Sequence, residues 1–313
     1  MNIVFFGTSE FAIPALRGLL SSRHKVLALV TQPDRKSGRH LVISPPPTKV
    51  LALTKDVPVY QPTDASGKES VGYLKKLNAD LFIVVSFGQI LKKEVLNLPM
   101  SYSINLHGSL LPKYRGAAPT NWAIINGDET SGVTIIKMNE KMDEGDIILK
   151  KEIEIDAEDT NITLSEKLSE IGADALLEVI DLIAGKKDLK FTRQDPPAAT
   201  YAPKLKKKDG LIDWGQDAID IHNRVRGLIP WPSAYTHYEG KILKVLKTEL
   251  PDFDPEEGAK AGEVVEAGKN RGIIVRAGSG CLAIKYLQLE GKKVLDADSF
   301  VRGHRISKGY IFR

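Results

Sequence analysis

A single cysteine, Cys281, stands in a chain of 313 residues, so no intramolecular disulfide can form and no multi-cysteine metal site exists. That scarcity fits a reducing compartment. No apolar run approaches the roughly 20 residues that a membrane-spanning helix needs. The start, MNIVFFGTSEF, lacks a basic segment followed by a long apolar one, and lacks an Arg/Ser-rich amphipathic stretch, so neither a signal nor a transit peptide is expected. A cytoplasmic location is the expectation, with no membrane partner. Glycine is also missing where nucleotide signatures need it: Gly7 stands alone after the first apolar run, whereas the dinucleotide fingerprint requires three spaced glycines. GxxxxGK[ST], GxSxG and HExxH are likewise absent. These gaps remove the local signatures of P-loop NTPases, α/β-hydrolases and zincins, and no metal is expected.

What is present is ordinary for a globular protein, 42% hydrophobic and 27% charged, and the length is compatible with two domains. The net charge of +4 is unevenly placed. Residues 1–203 carry 24 Lys+Arg against 25 Asp+Glu, while 204–313 carry 20 against 15. A basic excess confined to one end suits a polyanionic partner, and equally a solvated basic face.

NIVFFG, residues 2–7, reads as a strand, FAIPALRGLL as a helix and KVLALV as the next strand, which makes an opening βαβ unit. DRKSGRHLVISPPPTK, residues 34–49, reads as an exposed loop. LFIVVSFG is a buried strand, SINLHG follows, APTNWAIIN is helical, GVTIIKM and DIILKKEIEI are strands, and 163–184 has helical periodicity. Strands alternating with helices predict an α/β fold with a doubly wound, mostly parallel, Rossmann-like sheet. FTRQDPPAATYAPKLKKKDG changes composition to proline and lysine and reads as a linker. Beyond it, 212–228 is expected as one helix and the remainder as short strands with Gly-rich turns, a smaller OB-like β-barrel. The expected division is 1–189, a linker 190–208, and 209–313.

SINLHGSLLPKYRG, residues 103–116, carries the chemistry. On a strand Asn105 and His107 share one face and Ile104 and Leu106 the other. Ligands in open α/β sheets bind beyond the carboxyl ends of strands, where these two polar residues fall. An Asn amide can donate to an oxygen that becomes negative, and His moves protons near neutral pH. Asp143, in the turn KMDEGD between two strands, is the candidate carboxylate to orient the imidazole. From the residues alone, His107 is as compatible with a hydrogen-bonded core histidine as with a catalytic one. Amide, imidazole and carboxylate without a nucleophile suit direct acyl transfer.

SLLPKYRGAAP after INLHG, with MDEGDI about thirty residues on, resembles the folate-dependent formyltransferases. FFGTSEFAIPAL, TQPDRKSGR, TYAPKLKKKDGLIDW and LIPWPSAY resemble the members that act on methionyl-tRNA, over nearly the whole chain. The resemblance implies transfer of a formyl group from 10-formyltetrahydrofolate to the α-amine of methionyl initiator tRNA, in translation initiation, with no metal. It places the catalytic set on Asn105, His107 and Asp143. It places folate against Ser109, Leu110, Leu111 and Pro112, and against Phe87, Gly88, Gln89 and Leu91. It assigns tRNA contact to Arg39 and to Lys204, Lys206, Lys207 and Lys208 of the basic linker, and a tRNA-holding role to the C-terminal domain. A monomer is expected. Lys113 and Arg115 are left between the folate tail, tRNA phosphate and solvent. The competing readings are a nucleotide-sugar formyltransferase, a glycinamide ribonucleotide transformylase, which would leave the last 110 or so residues without a role, and a non-catalytic RNA-binding protein on the same scaffold.

Overall fold

NIVFFG forms strand β1 (Asn2–Gly7), buried at every residue after Asn2, which suits a strand covered on both faces. α1 (Ile13–Leu20) returns the chain to β2 (Lys25–Val30), parallel to β1. There follow β3 (Arg35–Ser37), β4 (Val42–Ser44), α2 (Pro47–Leu53), β5 (Val59–Tyr60), α3 (Lys68–Lys76), β6 (Leu81–Val85), α4 (Lys93–Leu96) and β7 (Tyr102–His107). Next come β8 (Arg115–Gly116), α5 (Pro119–Ile125), β9 (Thr130–Lys137), β10 (Asp146–Glu154), α6 (Asn161–Ala184) and β11 (Tyr201–Ala202). The computed structural model describes residues 1–37, 42–252, 258–268 and 272–312.

The main sheet has the order β10-β9-β7-β6-β1-β2-β5. Its pairs from β7 through β6, β1 and β2 to β5 are parallel, and β9 and β10 add antiparallel strands at one edge. Because β2 lies on one side of β1 and β6 on the other, the order reverses at β1, and the crevice of such a sheet opens at the carboxyl ends there. One face packs Val4, Phe6, Val30, Phe82 and Val84 against Leu74 of α3 and Val95 of α4. On the other, Gly172 of α6 meets Leu106 and Gly18 of α1 meets Leu177. α6 can lie this close because Gly172 has no side chain: a Cβ there would come within 2.9 Å of Leu106.

The chain divides into two compact units, residues 1–119, 130–154 and 165–202 in the first, and 120–129, 155–164 and 203–313 in the second. Residues 190–202, which composition marks as linker, are built into the first unit: Thr192 bridges Ile147, and β11 pairs with β8. The stretch read as one exposed loop over 34–49 contains the hairpin β3–β4, and its prolines lead into α2 with Pro47 as first residue, where a missing N–H costs nothing.

In the second unit α7 (Ala218–Gly227) precedes β12 (Ala234–Tyr238), β13 (Lys241–Glu249), β14 (Val264–Gly268), β15 (Gly272–Arg276), β16 (Cys281–Leu289), β17 (Leu295–Asp296) and α8 (Ala297–Gly303). The strands form one antiparallel sheet, β12-β13-β16-β15-β14 with β17 on β16, the smaller OB-like part of the fold. The helix expected over 212–228 starts only at Ala218. Trp214 turns inward instead, donating to Thr236 Oγ1 at 3.2 Å and stacking on Phe312, so the apolar residues before 218 serve the β core rather than a helix face. Two excursions from the first half join this unit through side-chain bonds. Asn121 Nδ2 donates to the Gly227 carbonyl, and Arg226 Nη1 donates to that of Asp159.

His222 of α7 is buried with its Nδ1 2.9 Å from Thr248 Oγ1. Burial first, and the Arg226 cation second, hold its pKa below the usual value. A depressed imidazole contributes stability that is complete above the unfolded pKa of about 6.5 and is lost as pH falls through the folded one. Thermal melts between pH 7.5 and 5.5 should therefore lose midpoint in the parent protein. His222→Gln, which cannot protonate, should show a flatter dependence, and parallel curves would remove His222 as the cause.

Candidate active site

β7 pairs in register with β6 and β9, setting Asn105 beside Val84 and His107 opposite Thr134. Both polar side chains are nearly buried, at 9% and 7% exposure, beyond a strand whose other face is occupied by Leu106. Burial at that level demands partners. Asp143 supplies one. It sits between β9 and β10 at φ +55°, a left-handed conformation that non-glycine residues seldom adopt and that clusters at functional sites. Its Oδ1 accepts from Asn105 Nδ2 at 3.4 Å and lies 3.6 Å from His107 Nδ1, and its Oδ2 accepts from the Gly116 N–H at 2.8 Å. The other ring nitrogen of His107, Nε2, is 2.9 Å from the Tyr114 carbonyl. A carbonyl only accepts, so Nε2 carries the hydrogen and Nδ1, the nitrogen facing Asp143, is the one left to gain or lose a proton.

The three side chains rest on a second layer that reaches far along the chain. Arg115 is buried, which answers where that cation goes: Nε and Nη2 donate to Gln194 Oε1 at 3.1 and 2.8 Å, and Nη1 pairs with Glu144 Oε1 at 3.1 Å. Gln194 Nε2 donates to the carbonyls of Asp143 and Gly145, both at 2.8 Å, and so clasps the turn that bears the carboxylate. Gly116 is at φ +121° and a Cβ there would lie 2.7 Å from the Ala202 carbonyl. Only glycine lets β8 run against β11 while its own N–H still reaches Asp143.

The segments expected to meet folate are placed as follows. Ser109 Oγ donates to the Lys113 carbonyl, its own carbonyl accepts from Thr134 Oγ1, and the Leu111 N–H donates to that same Oγ1. Leu111 packs with Ile136 and Ile147, while Leu110 and Pro112 remain half-buried. After β6, Phe87 is buried edge-on to Phe6, Leu91 lies in the same core, and Gln89 is spent on the main chain at Pro62 and Ala65. What these segments can present to a ligand is therefore main chain at Gly88 and the side chains of Leu110, Pro112 and exposed Ile90. In the second unit, Lys204, Lys206, Lys207 and Lys208 are all exposed around the buried Leu205, in a turn fixed by Lys206 N–H donating to Asp209 Oδ2. Arg39 lies outside the described residues. Among the described residues no cluster of three or more His, Cys, Asp or Glu is placed to hold a metal ion, and no helix is long and apolar enough to cross a membrane.

An amide, an imidazole and a carboxylate at the carboxyl end of a parallel strand define the class, a group-transfer enzyme built on a doubly wound sheet. The family model described as formyl transferase matches residues 1–180, and that described as formyl transferase, C-terminal domain, matches 204–305. The methionyl-tRNA formyltransferase of Citrifermentans bemidjiense is 46% identical over 309 residues, covering 99% of this chain and 95% of that protein. That of Geotalea daltonii is 46% identical over 310 residues, covering 99% and 97%. Among solved structures, WlaRD, a sugar 3N-formyl transferase determined with dTDP and 5-N-formyl-THF, shares the fold with a TM-score of 0.68 at 20% identity, over 94% of this chain and 99% of that one. The chain belongs to the formyl transferase family, in its methionyl-tRNA formyltransferase branch.

Proposed function

We propose that the chain transfers the formyl group of 10-formyltetrahydrofolate to the α-amine of methionyl initiator tRNA by direct acyl transfer, as a monomer in the cytoplasm. The observation that carries this reading is the Asn105–His107–Asp143 cluster with no nucleophile bonded to it among the described residues, Ser109 being engaged with the Lys113 carbonyl. The amine nitrogen attacks the formyl carbon, and the carbonyl electrons move onto oxygen. Asn105 Nδ2–H stabilises that oxygen. The carbon–N10 bond then breaks, and the proton that the amine loses balances the one that N10 gains. His107 Nδ1 carries that proton, and the Asp143 carboxylate stabilises the imidazolium while it does. A free α-amine titrates near 7.7–8.0, so a base working around neutrality is matched to it. The half-buried Leu110 and Pro112, with main chain at Gly88, are assigned to the flat pterin. The first unit is assigned catalysis and the second tRNA holding.

A transfer assay with 10-formyltetrahydrofolate tests this reading, offering charged initiator tRNA, glycinamide ribonucleotide and an amino-sugar nucleotide in parallel. Formylation of the tRNA alone is expected, and turnover of the sugar nucleotide instead would transfer the chain to that activity. The lysine cluster has its own test. Lys206→Ala, Lys207→Ala and Lys208→Ala combined should weaken tRNA binding and flatten the log Kd against log salt slope. Each lost phosphate contact should remove about 0.7–0.9 from that slope. An unchanged slope would return these lysines to a solvated face.

A further inference from the structure

Arg115 and Gln194 are 4% and 5% exposed, and their bonds close a ring around the turn that bears Asp143. Gln194 Oε1 accepts twice from the Arg115 guanidinium, and a guanidinium only donates, so the oxygen of the amide must face it. The amide nitrogen is thereby turned to the carbonyls of Asp143 and Gly145, both at 2.8 Å. Arg115 Nη1 completes the ring on the side chain of Glu144, the residue between those two. Every donor and acceptor of the amide is used, so Gln194 has none left for a ligand. The turn is also held by contact: a Cβ on Gly145 would overlap the Lys137 carbonyl of β9.

We infer that Gln194, oriented by Arg115, is a positioning residue of the transfer, setting kcat by holding the Asp143 carboxylate against His107 and Asn105. This rests on the formyl-transfer reading and adds to it the residue that fixes the carboxylate. Stability alone is a poor account of the ring, since a buried guanidinium loses its hydration and its ion pair returns little net stability. What the ring secures is a geometry. Asp143 is left-handed at φ +55°, a backbone that persists only where its surroundings determine it. Its Oδ1 stands 3.6 Å from His107 Nδ1 and 3.4 Å from Asn105 Nδ2. Both distances are at the long end of hydrogen-bond contact, so a small drift of the turn breaks them. The Gly116 N–H holds the other carboxylate oxygen, and Gln194 holds the main chain beneath it.

Gln194→Glu is the decisive variant. Its carboxylate keeps the acceptor for Arg115 and stays ionised beside that cation, but it cannot donate to the two carbonyls. Gln194→Met removes both functions at similar size. In steady-state formylation of charged initiator tRNA, each should lower kcat roughly 10- to 100-fold, within the cost of misplacing a reacting group by about 1 Å. KM for the tRNA, and folate affinity by direct titration, should stay at parent values, a split that general loosening of the fold does not produce. Action through Asp143 adds a second expectation. In an Asp143→Asn background, Gln194→Glu should cost little further, about 2-fold or less, because the two changes share one effect. Parent-like kcat in folded Gln194→Glu overturns the inference. So do fully additive losses in the double variant, and so does weaker folate binding with kcat intact, which gives Gln194 to binding. Parent-like kcat in Asp143→Asn alone, or absence of transfer by the parent protein, would instead overturn the reading on which the inference rests.

Discussion

His107→Ala is expected to lower kcat by about 100- to 10,000-fold, the range for a positioned acid–base group, with folate affinity near the parent value. The expectation follows from the ring's two ends. Nε2 is tied to the Tyr114 carbonyl, so the imidazole cannot turn, and Nδ1 is left facing Asp143 at 3.6 Å. His107→Gln is the informative companion, since its amide can still donate to the Tyr114 carbonyl yet cannot take up a proton. If the loss comes from proton transfer, the glutamine variant should be as slow as the alanine variant and should also lose the acidic limb of the pH–rate profile. Recovery of rate in His107→Gln would make the histidine a strut rather than a base.

The second large effect is expected at Asn105. Removing one oxyanion donor costs about 100- to 1,000-fold in kcat, and Asn105→Ala should show a loss of that size without weakening folate binding. At 3.4 Å its present bond to Asp143 is long, so moving the donor to a developing oxyanion sacrifices little. Asn105→Asp separates charge from shape: a carboxylate of the same size cannot donate, and it would stand beside Asp143. It should be at least as slow as the alanine variant. A drop in folate affinity with kcat intact, in either variant, would place Asn105 in binding rather than in stabilising the transition state.

Much of this arrangement was legible in the sequence because it obeys local periodicity. Alternation on β7 put Asn105 and His107 on one face and Leu106 on the other, and the turn between two apolar runs located Asp143. The supports were not legible. Arg115 meets Gln194 across 79 positions, from a strand of two residues to a residue in no strand, and such a contact leaves no periodic trace. Nor was it legible that Gln89, which the resemblance sets against folate, bonds the main chain at Pro62 and Ala65, since these partners lie more than twenty positions upstream. The helix expected from residue 212 failed for a different reason: Trp214 has a hydrogen-bond partner and a stacking partner in the β core, and tertiary packing outweighed helical spacing.

The closure of β8 by β11 has a consequence for the order in which the enzyme comes into being. The three side chains proposed to react lie between positions 105 and 143, but the clasp on the Asp143 turn comes from Gln194, and the strand that receives Gly116 ends at Ala202. A nascent chain that has exposed 190 residues carries all three of these side chains and none of this clasp. Its carboxylate turn then keeps the bonds from Gly116 and Asn105 but lacks the two from Gln194 to the carbonyls of Asp143 and Gly145, which brace the left-handed Asp143 backbone. On the proposed assignment, the bracing of the Asp143 turn is therefore completed only by residues that leave the ribosome after position 190, some fifty positions behind the carboxylate that they support.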